Sequence, residues 1–247
     1  MSPLPDPRVP RGSSYNQGTV IETVSNFYKL LSTLPYVDPK HILSAPTGGW
    51  PNISHDVVVG VFHKTEAVLE LLRHLPYLDQ DRGHSNKYVI GPDVEPCDYR
   101  QVLIADGTSE TTKAMLAPSS VVDFPAWCVP LATAKSRSGR HVILDTSDGT
   151  ITEYDPEGAA DDHDYADDDP RAWRNVCRWA EDPTDRTVTV TAYFERLEKR
   201  FRDLEWIGFW RMNEMPNLWM GYDFTWPNEE KETKVCYVAP RIAVQRC

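Results

Sequence analysis

Cys128, His141 and Asp145 are the residue types of a nucleophile, a general base and the carboxylate that orients it. His141 and Asp145 stand four apart in His141-Val142-Ile143-Leu144-Asp145, and positions 141, 143 and 145 share one face of a strand. Cys128 belongs to a different strand, and the sequence leaves its register open. The competing reading is a buried, inert cysteine and a surface histidine. Asp98 and His74 extend the set, so that Asp98, Asp145, His74 and His141 are the acid–base candidates if the chain is an enzyme. His74 also has a structural reading, because a helix dipole favours a cation in the last turn.

Two further patterns bear on chemistry. The run Asp161-Asp162-His163-Asp164-Tyr165-Ala166-Asp167-Asp168-Asp169 has the carboxylates to hold a hard cation. It lacks the D-x-D-x-D-G order and the glutamate at position 12 of a calcium loop, so a solvated acidic loop is the better reading. The five cysteines, Cys97, Cys128, Cys177, Cys236 and Cys247, are scattered and contain no C-x-x-C pair. Neither a disulfide framework nor a zinc site is expected, and no cofactor or metal motif stands out.

Aromatic side chains are the other resource. Tyr36, Trp50, Tyr77 and Tyr99 stand near predicted helix ends and turns, and Trp206, Trp210 and Trp219 crowd the end of the chain. Such residues bury large area at low entropic cost and serve as binding anchors or as core. Both helix ends, at Tyr36 and at His74 and Tyr77, are expected to frame a cleft with Trp50, with Asp98, Tyr99 and Asp145 as further candidates for it.

The elements that must position these groups follow from hydrophobic spacing. Val20, Val24, Phe27, Leu31 and Leu34 predict a helix over 19–34, with Thr19 as N-cap, Glu22 completing a capping box and Pro35 as the stop. Val68, Leu71, Leu72 and Leu75 predict a second helix over 65–75, ended by Pro76. The two helices close on the same phrase, Leu34-Pro35-Tyr36 and Leu75-Pro76-Tyr77. Strands are expected at 88–90, 100–104, 126–132, 141–145 and 150–154, the last two joined as a hairpin through Ser147-Asp148-Gly149. A helix is expected over 170–181. Another, over 189–204, carries the stripe Val190, Phe194, Leu197, Phe201 and Leu204.

The net charge of -11 disfavours nucleic acid and anionic membrane surfaces. No stretch approaches the ~20 apolar residues of a membrane span. The first residues lack the apolar core of a secretory signal, and a cytoplasmic location is the expectation. The organisation expected is a flexible arm at 1–18, one α+β domain at 19–207 with an acidic loop at 155–170, and an aromatic extension at 208–247 folding back over the sheet.

The doubled "LPY", the connector "PTGGWP", the segment "CVPLATA…SGRHVILDTSDGTITEYD" and the following "FERLEKRFRDLEWI" resemble a group of uncharacterised fungal proteins, which is similar in turn to the SUKH superfamily. That superfamily includes the yeast regulator of cell-wall glucan synthesis and many bacterial toxin-immunity proteins. The resemblance implies a mixed, mainly antiparallel sheet flanked by helices and a noncatalytic protein-binding or regulatory role, with no catalytic residue to carry over. The alternative is an enzyme of fungal secondary metabolism, a cyclase or isomerase with an aromatic-lined pocket and no cofactor. The partner expected is a protein or a small apolar ligand, and a homodimer is a further option.

Overall fold

The computed structural model describes residues 13–79, 88–102, 124–135, 139–154, 165–166, 168–176, 187–210 and 216–220, without the side chains of 101–102, 176, 209–210 and 216–220. Cys177, Cys236, Cys247, the side chains of Trp210 and Trp219 and most of the acidic loop lie outside the described residues.

Helix α1 spans Gln17–Thr33. It begins two residues before the expected point because Asn16, rather than Thr19, is its cap, with Oδ1 accepting from Thr19 N at 2.9 Å. Val20, Val24, Phe27 and Leu31 form its buried stripe. Helix α2 is Glu66–His74, capped by Thr65, and its buried residues include Val68, Leu71 and Leu72.

Ile42–Leu43 (β1), between the two helices, pairs antiparallel with Tyr77–Leu78 (β2), just after α2. A π-helical turn covers Asp56–Val61. The main sheet is a five-stranded antiparallel meander of Val94–Pro96 (β3), Cys128–Ala134 (β4), His141–Asp145 (β5), Thr150–Tyr154 (β6) and Thr187–Thr189 (β7). Pro130 sits inside β4, where its missing N–H should interrupt the ladder. The register shifts between Pro130 and Ala132, so a bulge absorbs the proline.

Two expected strands are corrected. Residues 88–90 form no strand, and Tyr99–Val102 is one helical turn (α3). Asp98 starts that turn by accepting the Arg100 N–H at 3.2 Å, a local bond that competes with the extended chain. The 170–181 helix is also corrected within the described residues to a short 3₁₀ turn at Ala172–Val176. Helix α4, Val190–Arg202, is capped by Thr189. It is followed by a hairpin of Trp206–Trp210 (β8) and Pro216–Met220 (β9).

Alternation along the meander sorts its side chains into two layers. Val129, Leu131, Ala132, Val142, Leu144 and Ile151 join the helices in the main core. There Phe27 meets Phe194 at 5.3 Å and Phe201 at 6.0 Å, fixing α1 against α4. Cys128, Ile143 and Tyr154 lie in a second cluster with Phe124 and Trp173. The chain is therefore an α+β protein with helices on one sheet face and an irregular cover on the other.

The start of the aromatic segment lies on the helical side, and the expected return of the 208–247 extension over the sheet falls almost wholly outside the described residues. Trp206 is edge-on to Phe201 at 5.8 Å, and Gly208 lies so close to Tyr36 that an added Cβ would fall on the ring.

Candidate functional site

Of the residues expected to frame a cleft at the helix ends, Trp50, Tyr77 and Tyr99 pack against one another, and Asp98 stands beside them through Arg100. Trp50 and Tyr77 rings are 5.9 Å apart, and Tyr77 and Tyr99 are 6.5 Å apart. Proline 76 ends α2 and leaves its last carbonyls to be satisfied by other groups. Trp50 takes two of them, with N donating to Arg73 O at 2.9 Å and Nε1 to Leu75 O at 2.9 Å. Tyr77 OH takes Leu72 O at 2.6 Å, and Tyr99 OH ties the same corner to Pro130 O on β4 at 2.7 Å. Gly49 makes the approach of this loop workable: its φ is 77°, and a Cβ there would press on Arg73.

Arg100 completes the group, and the sequence reading missed it. Its guanidinium carbon lies 5.0 Å from the Trp50 ring centre and 5.8 Å from that of Tyr77. Nε and Nη2 grip Asp98 at 3.0 and 2.7 Å, a bidentate pair, and Asp79 stands 3.7 Å from Nη2. Burial holds the Asp98 carboxyl above its ordinary pKa although Arg100 pulls it down. The one available signal was the spacing Asp98-x-Arg100.

Beneath the aromatics is a void of about 10 Å³, lined in part by Tyr28, Leu75, Tyr77 and Tyr99. It has room for one water. Cys97 on its wall is buried, and desolvation pushes its thiol up to about 12. Such a cysteine is not a nucleophile near neutral pH.

Tyr36 belongs elsewhere, despite its matching phrase. Tyr77 turns back on its own helix, whereas Tyr36 OH reaches Val89 O at 2.9 Å and its ring lies edge-on to Tyr88 at 5.7 Å. His41 Nδ1 meets Tyr88 OH at 2.6 Å in the same corner.

The four acid–base candidates do not converge. Cys128 and Asp145 are register partners on β4 and β5 and share a face, as a triad would need. His141, however, is at the far end of β5, about 13 Å away by strand rise. It accepts from Ala134 N at 3.3 Å and lies 5.9 Å from the Tyr154 ring. Asp145 is instead bound to Arg174 Nη2 at 2.7 Å. His74 Nδ1 lies 2.8 Å from Glu70 O, within its own helix.

Around Asp145 is a second polar cluster, internal at Asp145, Arg174 and Thr150 and reaching the surface at Ser147 and Asp148. Arg174 Nη2 also meets Asp148 Oδ2 and Thr150 Oγ1, each at 3.2 Å. Asp145 Oδ1 accepts from Ser147 N at 2.8 Å, which shapes the hairpin turn. Buried Lys64 donates to Cys128 O at 2.9 Å. Desolvation, then the Asp145 charge, keep the Cys128 thiol well above its ordinary pKa. Lys64 and Arg174 had no pattern around them that would have singled them out.

Among the described residues no three His, Cys, Asp or Glu side chains converge to hold a metal, and no helix is long and apolar enough to cross a membrane. Comparison with protein-family models, curated proteins and solved structures finds no match to this chain.

Proposed function

We propose that this chain is a noncatalytic binding or regulatory protein of SUKH-like fold, working in the cytoplasm through the surface at its helix ends. The observation that carries the reading is the fate of the acid–base candidates. Asp98 is engaged by Arg100, Asp145 by Arg174, His74 by a helix carbonyl and His141 by the strand backbone. Groups held this way support a fold, not a reaction. A cyclase or isomerase would call for a pocket of several hundred Å³, and the void that the described residues form beside the tyrosines is about 10 Å³.

The docking surface on this reading is the loop 46–51 with Trp50 behind it. Pro46, Thr47, Gly48 and Pro51 are exposed on a loop that Trp50 fastens to α2. A rigid loop loses little entropy on binding, which favours a docking role.

Gly48 gives a clean test, because a side chain added there meets no atom within 4 Å. Affinity capture is expected to recover a partner with the wild-type chain and lose it with Gly48→Arg, whose melting temperature should stay unchanged. Equal recovery by both would move the docking surface elsewhere. Turnover of a small molecule by the pure protein, with no partner recovered, would overturn the reading.

A further inference from the structure

The Arg100 side chain sits in a box built from two ring faces and two carboxylates. Trp50 and Tyr77 present their rings, 5.0 and 5.8 Å from the guanidinium carbon, and Asp98 and Asp79 stand beside the nitrogens. Aromatic faces with acids at their rim are the chemistry that recognises cationic groups, since the ring quadrupole and the carboxylate charge add. Asp98 and Asp79 both face the guanidinium, on a chain whose net charge is -11. Both terms steer a basic segment toward the surface.

We propose that this box is a recognition site for a cationic side chain of a partner protein, and that Arg100 is its built-in stand-in. The inference rests on the protein-binding role proposed above and names the chemistry of the partner.

The backbone geometry lets the exchange proceed without unfolding. Asn52 Nδ2 donates to Arg100 O, and Asp98 Oδ1 accepts the Arg100 N–H, so the main chain is held from both sides. Only the side chain must rotate, and it retains 16% exposure toward solvent. Asp98, at 7%, is too buried to be left without a cation. An uncompensated carboxylate in that setting is costly, so a neutral group cannot displace Arg100 whereas a second guanidinium or ammonium can. Selectivity for cations is therefore built into the exchange.

The test opens the box with Arg100→Ala and offers N-acetyl-arginine methylamide, with the neutral citrulline analogue as control. The Trp50 Nε1–H signal reports binding by nuclear magnetic resonance. The variant is expected to bind the arginine derivative at least tenfold more tightly than wild type, with an affinity that falls as salt rises, and to ignore citrulline. The variant is also expected to melt lower than wild type and to regain melting temperature with the arginine derivative alone. A folded variant that binds no better than wild type overturns the proposal. So does a variant that melts low and is not rescued. Neither failure touches the wider reading, since partner capture by wild-type protein and its loss in Gly48→Arg are read independently.

Discussion

Arg174 has no exposed surface, and its guanidinium joins Asp145, Asp148 and Thr150 across the outer face of the sheet. Removing it would leave Asp145, itself 1% exposed, as a buried charge without its cation. Arg174→Ala should therefore cost about 3–5 kcal/mol, read by urea unfolding. Asp148 is the weaker half of this cluster. Burial, then the Asp145 charge, raise its carboxyl above the ordinary value in the folded protein. The folded state thus takes up the proton more readily than the unfolded chain. Ionised Asp148 detracts from stability above the raised folded pKa, and the penalty is relieved as pH falls through that value. The stability of wild type minus that of Asp148→Asn should shift in favour of wild type as pH is lowered from 7 to 4. A difference that is flat, or that moves the other way, would contradict this role. At this scale the sequence was partly legible. Trp50, Tyr77, Tyr99 and Asp98 do meet, because turn and helix-stop signals are local. Arg174 was missed because its pairing with Asp145, 29 residues away, is decided by packing against the sheet, and Arg100 because its neighbour Asp98 signals a local pair but not the Trp50 and Tyr77 rings that the fold brings to it.

The helix stops show how one phrase is used in two ways. Both copies end a leucine stripe with proline, yet Tyr77 closes its own helix and Tyr36 bonds 53 residues along the chain. Leu75 is buried and lines the small void, so Leu75→Ala should cost about 2–5 kcal/mol by the same urea assay. A melting temperature within a degree of wild type would show that the stripe is not core. Strand β8 meets this layer through Gly208. Gly208→Ala should cost about 1–3 kcal/mol, and less in a Tyr36→Val background if the ring contact is the cause. The amphipathic helices and the β5–β6 hairpin were readable, since periodicity and Asp-Gly chemistry act over a few residues. Strands β1, β2, β3 and β7 are two or three residues long, too short to show a period. Asn16 displaced Thr19 as cap because a cap is chosen by the backbone just upstream of the stripe.

On the scale of the whole molecule, the sheet is covered on both faces, and Asp145, one of the groups read from the sequence as chemistry, is tied into the outer cover through Arg174. Among the described residues, the loop 46–51 backed by Trp50 is exposed, on a chain of net charge -11. On the proposed reading the partner is basic, in keeping with a net charge of -11 and a box that holds a cation. The measurement that tests this account most directly is a titration of the captured partner into wild type and Gly48→Arg, followed by calorimetry. The account predicts a saturable isotherm for wild type, weakened at least tenfold by the substitution with the melting temperature unchanged. Identical isotherms would contradict it.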